Sequence, residues 1–262
     1  TAPKGSLVNP TFPAPTLARC IPACIVTDTL VKAFAEVVPE RCCAGCGTLA
    51  ILSYSGVKDS SYWVHMDIHE GSYGARWTKD GMDAMDTLFT NTRCAPVEEI
   101  ETEYPLRVVR WELNDYEVGH GQFRGGKGGV REFQFLTDGY ISSEADGQRH
   151  RPWGLAGGTS AHPAEIWAIG TDGTSQQLSS KLPGRSAREG EIYRLVAANG
   201  GGTGSPLDRD PQLVLDDYLD EIVSLEDAEQ IYGVVIDTAA GEVRAGATEE
   251  RRKTGRLDPS AA

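Results

Sequence analysis

The chain has 262 residues, 40% hydrophobic and 24% charged, long enough to bury one large core or two small ones. Its formal net charge of -13, from 38 acidic against 25 basic residues, repels nucleic acid and anionic membrane, and no Lys/Arg cluster interleaved with aromatics offsets it. No apolar run approaches the roughly 18 residues of a membrane span, and no basic segment leads into an apolar one as in a secretory signal. A cytoplasmic location is expected, with the six cysteines as free thiols in a reducing compartment.

Residues 1–19 carry four prolines and little periodicity, and read as an extended arm. Over 25–38 the apolar residues Val26, Leu30, Phe34 and Val37 recur at helical spacing and predict an amphipathic helix ending before Pro39. The Cys/Gly-rich stretch 41–47 reads as a tight turn. Strands are predicted over 49–54, 62–68, 106–113, 130–136, 165–170 and 192–197, each rich in β-branched or aromatic residues and bounded by Gly, Pro or Asp. Thirty glycines exceed the usual share of about 7% and fit many tight turns between strands.

Beyond residue 208 the pattern changes. Asp210-Pro211 is a helix start, a capping acid before Pro at the first helical position, and Val214, Leu215, Tyr218 and Ile222 continue it as an apolar stripe. Ser224 with Asp227 opens a second helix in a capping-box arrangement, closed by Gly233. A last strand is predicted over 234–237, and a polar tail over 249–262. The fold class read from this pattern is α+β, with a β-rich central region and helices near both ends. The main region runs over 20–248.

Three groups of residues invite a chemical reading. Cys20 and Cys24, with Cys43 and Cys46, have spacing within the range of a tetrahedral zinc site, although small buried thiols that simply pack are the commoner outcome. The run Asn199-Gly-Gly-Gly-Thr-Gly204 lies between a predicted strand and helix, where backbone N–H groups cradle phosphate. It lacks the Gly-Lys-Ser/Thr ending of a P-loop, and a close-packed turn fits it better. Segment 67–76 concentrates Asp67, His69, Glu70 and Arg76 on a strand end and glycine turn. These groups suit general acid/base work and anion clamping, or else a salt-bridged surface turn. Cys94 is a candidate nucleophile with no assignable His partner.

The order of motifs is similar to one family. "NPTFPAPT", "EGSYGARWTKDGMDAMDTLFTNTR", "PVEEIETEYPLRVVRWEL", "GQFRGGKGGVREFQFL", "RPWGLAGG", "NGGGTGSPLDRDPQLVLDDYL" and "VSLEDAEQIYGVVID" resemble the C-terminal half of the hydantoinase B/oxoprolinase family, over residues 9–252. That family includes N-methylhydantoinases, 5-oxoprolinases, caprolactamases and subunits of acetone and acetophenone carboxylases. The sequence departs from the family at Thr203-Gly-Ser-Pro206, where Tyr-Gly-Asp-Pro is usual, and at Cys94, where Asn is usual. The cysteines at 20 and 42–46 have no counterpart in the family pattern.

The resemblance implies a hydantoinase-B-like fold and a chain that works with others. The implied partners are an A-type ATPase subunit and an N-terminal B half carrying the metal-binding His/Asp motifs. ATP and a divalent metal (Mg, Mn or Zn) are then held mainly by those partners. The implied reaction is ATP-dependent hydrolysis of a cyclic amide such as a hydantoin or lactam, with Glu70 as acid/base and His69 assisting. Arg76, Arg93 and Asp67 are the expected substrate contacts. A subunit of an ATP-dependent ketone carboxylase is the alternative, and a non-catalytic scaffold subunit a third.

Overall fold

The computed structural model of the chain describes residues 2–6, 8–14 and 18–255. Helix α1 (Cys20–Ala35) begins five residues before the predicted start. Pro22 falls in its first turn, where no intrahelical N–H is needed. Its apolar stripe faces outward: Val26, Leu30 and Phe34 are exposed, as is Val37 just beyond the helix, while the buried contacts come from Ile21 and Cys24.

Two antiparallel sheets follow. Strands β1 (Ala50–Lys58) and β2 (Ser61–His69) form a long hairpin. Helix α2 (Val97–Glu103), which the sequence pattern did not announce, leads into β3 (Leu106–Leu113), and β4 (Gly129–Phe135) and β5 (Gly139–Glu144) come next. The series closes with β6 (Glu165–Ile169), β7 (Ser175–Gln177), β8 (Lys181–Ala187) and β9 (Ile192–Val196). One sheet has the order β2-β1-β5-β8 and the other β3-β4-β9-β6-β7. Within these two sheets all six strands predicted between residues 49 and 197 are present. Strands β5, β7 and β8 are additional to them: β8 contains Pro183-Gly184 and reads as a turn, and its place at a sheet edge is where proline is tolerated in a strand.

The sheets pack face to face. Tyr54 of β1 meets Phe133 of β4 with ring centroids 5.0 Å apart, and Trp63 of β2 meets Phe135 at 6.2 Å. Leu52, Leu106, Ile141, Ile166 and Tyr193 complete this core, and burying each such side chain is worth about 1.5–3 kcal/mol. Along β2 the inward residues are Trp63, His65, Asp67 and His69; along β4 they are Phe135, Phe133 and Arg131. The space between the sheets therefore turns from aromatic to ionic toward one end.

Beyond that ionic end, irregular backbone segments stack without side chains between them. A Cβ on Gly71 would lie 2.0 Å from the Gly47 carbonyl oxygen, and one on Gly200 2.1 Å from that of Tyr73. Glycine is required here because two backbones touch.

The C-terminal region is a small helical unit. Helix α3 (Pro211–Leu219) is capped by Asp210, whose side chain accepts from the Gln212 N–H, and α4 (Leu225–Gln230) by Ser224, which accepts from the Asp227 N–H. The short hairpin β10 (Ile236–Asp237) and β11 (Glu242–Val243) precedes helix α5 (Ala245–Gly255). The expected tail is thus helical to residue 255, because Thr248 and Arg252 tie α5 down: the Thr248 hydroxyl accepts from the Val235 N–H, and Arg252 donates to the Tyr232 and Arg209 carbonyls. Buried ion pairs join this unit to the irregular segments beside the sheets. Arg209 bonds both oxygens of Asp80 at 2.7 and 2.8 Å and Asp217 of α3 at 2.7 Å, and Arg124 reaches Asp217 at 2.8 Å.

The backbone contact at Gly71 gives a direct test. Gly71→Ala should cost about 1–3 kcal/mol or more, the usual penalty of overpacking. Gly173→Ala, at a positive-φ turn with nothing within 4 Å, should cost only of order 1 kcal/mol. Urea denaturation of the two variants checks this, and equal losses would contradict it.

Candidate functional site

The ionic end of the inter-sheet space is built by strand parity. Side chains alternate across a strand, so Asp67 and His69 share the inner face of β2 with Trp63, and Arg131 shares that of β4 with Phe133. Arg131 is 2% exposed. Its guanidinium bonds Asp67 at 2.7 Å through Nη1 and Glu70 at 2.7 Å through Nη2, and lies 3.9 Å from the centre of the Trp111 ring. Burial works against that charge, but the two carboxylates more than offset it and hold the guanidinium protonated. Losing one member of a buried pair costs about 3–5 kcal/mol, because the remaining charge is stranded.

Cys94 completes the cluster. Its thiol donates to Glu70 Oε1 at 2.8 Å, and Nη2 of Arg131 donates to its sulfur at 2.8 Å. Burial first, then the bond to Glu70, pushes its pKa up to about 11. The thiol stays protonated at neutral pH, so Cys94 orients Glu70 and does not serve as a nucleophile.

His69 is different from its neighbours. It is 2% exposed, and among the described residues neither ring nitrogen makes a hydrogen bond of good geometry, the backbone of Glu70 and Leu195 giving only weak interactions that favour the charged form. Burial first, then the charge of Arg131, pushes its pKa down to about 3. A neutral imidazole carries one donor and one acceptor, and a buried polar group left unpaired is costly enough to ask for a partner. With Glu70, Trp111, Gly129 and Arg131, His69 lines a cavity of about 250 Å³. Gly129 keeps the cavity open over the ring, since a Cβ there would stand 3.2 Å from His69 Cε1.

Of the residues singled out in the sequence, Asp67, His69 and Glu70 meet in this one place. Arg76 does not join them: its backbone pairs with Cys43 and Lys79, and its charge lies beside the Cys43 thiol. Arg93 is exposed and makes no ion pair among the described residues. The cation actually present is Arg131, which the sequence reading passed over inside "GGVREF".

The glycine run at 199–204 is a packed turn. The N–H groups of Gly200, Gly201, Gly202, Thr203 and Gly204 donate to the carbonyls of Gly126, Gly45, Thr159, Phe123 and Leu155. Asn199 is equally committed, donating to Asn114, Tyr116 and Glu117 and accepting from the Gly128 N–H. None of these N–H groups is left to receive a phosphate. The four cysteines do not converge either: Cys24 packs with Ile21, Leu49 and Ile51, whereas Cys43 and Cys46 face each other. Among the described residues no three His, Cys, Asp or Glu side chains form a group able to hold a metal ion.

Comparison with known proteins places the chain in a family. The family model described as Hydantoinase B/oxoprolinase matches residues 1–206. The chain is 50% identical to a protein of Pseudomonas sp. (strain NS671) described as the B-type polypeptide of a D-/L-hydantoinase, over 96% of this chain and 43% of that protein. It is 30% identical to the acetophenone carboxylase delta subunit of Aromatoleum aromaticum, over 72% of this chain and 33% of that one. The crystal structure of ATP-dependent caprolactamase from Pseudomonas jessenii superposes with a TM-score of 0.80 at 26% identity, over 97% of this chain and 46% of that one. The chain thus spans less than half the length of each of these relatives.

The depressed pKa of His69 has a stability consequence. Its folded value of about 3 lies below the ordinary 6.5, so between these values the unfolded chain binds the extra proton. His69 therefore contributes a loss of stability as the pH falls from about 6.5 toward 3, at about 1.4 kcal/mol per pH unit. In urea titrations at stepped pH, His69→Gln should lose stability less steeply than wild type over that window. Parallel slopes would contradict a neutral, buried imidazole.

Proposed function

The chain belongs to the hydantoinase B/oxoprolinase family, and from that premise we propose that it supplies ring-binding residues to an ATP-dependent cyclic amide hydrolase assembled from several chains. The observation that carries this reading is the pair His69 and Glu70: a neutral, buried imidazole beside a cavity, next to a carboxylate fixed by Arg131. A lactam or hydantoin ring presents a carbonyl acceptor and an N–H donor side by side. The imidazole N–H of His69 donates to that carbonyl, and Glu70 accepts from the ring N–H, takes its proton as the carbonyl oxygen is activated and returns it to the nitrogen as the C–N bond breaks. Each Glu70 oxygen already has one partner, Cys94 or Arg131, and a carboxylate oxygen accepts more than one hydrogen bond. Trp111 walls the cavity on the side of β3.

In this reading ATP and a divalent metal are held by partner chains, an A-type ATPase subunit and an N-terminal B half, in the cytoplasm. The exposed apolar stripe of α1, with Tyr62, Val64 and Met66 on the outer face of edge strand β2, offers those chains a hydrophobic surface. Arg93, exposed beside Cys94, is an anion contact facing the partner side. Arg76 supports the turn and makes no contact with the ring.

The similarity to a carboxylase delta subunit favours a second reading, in which the same cavity holds a ketone during ATP-dependent carboxylation. Phosphate release by the assembled complex separates the two. Ring opening of a hydantoin or lactam should require ATP and be indifferent to bicarbonate. Glu70→Gln should lower its rate about 10²-fold or more, as for loss of a general acid/base, without dissociating the complex. Turnover of a ketone only with bicarbonate, and of no cyclic amide, would overturn the first reading in favour of the second. Full activity of Glu70→Gln would leave the chain a scaffold.

A further inference from the structure

We propose that Cys43 and Cys46 form a reversible dithiol/disulfide pair, a modification site whose closing loosens the backbone that follows Glu70. The two sulfurs lie 4.0 Å apart across the two intervening residues Ala44 and Gly45, and a shift of about 2 Å closes them to disulfide length. Cys43 is half-buried and reachable from solvent, whereas Cys46 is 7% exposed. The pair is chemically asymmetric. The hydrogen bond from Cys46 is the main cause holding the Cys43 thiol below its ordinary pKa, with the nearby Arg76 charge adding to it, and the same bond holds Cys46 well above. An accessible attacking thiol and a buried resolving thiol are what disulfide exchange needs. The other cysteines lack this arrangement: Cys24 donates to the Thr87 carbonyl, and Cys94 is engaged with Glu70 and Arg131.

The loop that carries the pair is hydrogen-bonded along residues 72–76. The Ala44 N–H donates to the Ala75 carbonyl at 2.8 Å, the Gly47 N–H to that of Ser72 at 2.8 Å, and the Gly74 N–H to Cys46 Sγ at 3.4 Å. Closing the disulfide draws Cys46 Sγ toward Cys43 and takes this acceptor from Gly74. Gly45 cannot move aside to compensate, since a Cβ there would already lie 2.3 Å from the Trp153 backbone nitrogen.

The oxidant is a small dialkyl disulfide such as glutathione disulfide. The Cys43 thiolate attacks one of its sulfurs, breaking that S–S bond and releasing one glutathione thiolate. Cys46 then loses its proton and attacks the Cys43 sulfur, forming the protein S–S bond and releasing the second glutathione thiolate. The two electrons and two thiol protons of the pair end on two molecules of glutathione.

The test equilibrates the full chain in glutathione/glutathione disulfide mixtures, quenches with acid, alkylates and maps the peptides. At oxidising ratios Cys43 and Cys46 should together escape alkylation, their peptide should weigh two hydrogens less, and Cys20, Cys24 and Cys94 should stay alkylated. Cys46→Ser should stop at a glutathione mixed disulfide on Cys43. In the oxidised wild type the Gly74 amide should exchange hydrogen faster. Alkylation of both thiols at every ratio, a mixed disulfide persisting on wild-type Cys43, a bridge through Cys42 instead, or unchanged exchange at Gly74 would each overturn the proposal.

Discussion

A guanidinium enclosed between two β-sheets is the constraint from which the candidate site follows. Arg131 stands where the parity of β4 calls for another aromatic, and a charge placed there is tolerable only if carboxylates come with it. Asp67 answers from the inner face of the facing strand and Glu70 from the turn that follows it. Meeting the same guanidinium from one side, they fix the end of β2 over β4 and hold Glu70 where Cys94 can donate to it. Burial first, with the same charge adding to it, keeps a proton off His69. One buried cation thus orients an acid and a thiol beside a neutral imidazole.

The second buried ionic cluster makes the contrast. Arg209 and Arg124 share Asp217, with Asp80 and Asp83 outside them, and tie the C-terminal helices to the irregular segments beside the sheets. Tyr232, in the same region, occupies Nδ1 of His120. That cluster is an anchor, since its charges bridge two parts of the fold and line none of the cavities beside it. The Arg131 cluster adds a cavity lined by a buried, neutral imidazole and a fixed carboxylate, the feature on which the proposed function rests.

Much of this was legible in the sequence. Alternating apolar residues marked six strands, and the Asp210 and Ser224 caps marked two helices, because each signal is local. Asp67, His69 and Glu70 were likewise legible as a concentration of chemical groups. Arg131 was missed although its signal was present: it shares parity with Phe133 and Phe135 on a predicted strand, which places a cation on a buried face. That Arg76 and Arg93 stand apart from this cluster was illegible for the opposite reason, since both sit on irregular backbone where no period tells which way a side chain points. The outward turn of the α1 stripe was equally illegible, because amphipathic spacing fixes a face and leaves open whether this chain or a partner covers it. The glycine run at 199–204 illustrates the same limit. Its composition fits a phosphate loop or a packed turn, and only the carbonyls opposite its N–H groups decide.

The claim that matters most is that His69 contacts the ring of a cyclic amide, and the most direct measurement is equilibrium affinity. Binding of a hydantoin or lactam to the assembled complex without ATP, followed by calorimetry, should weaken about tenfold in His69→Leu, the scale of one lost net hydrogen bond. Arg93→Ala should bind the ring as wild type does, because the exposed Arg93 side chain does not line the cavity. Equal affinity in wild type and His69→Leu would contradict the account, leaving the imidazole a buried part of the core and the Arg131 cluster a structural anchor like its counterpart around Arg209.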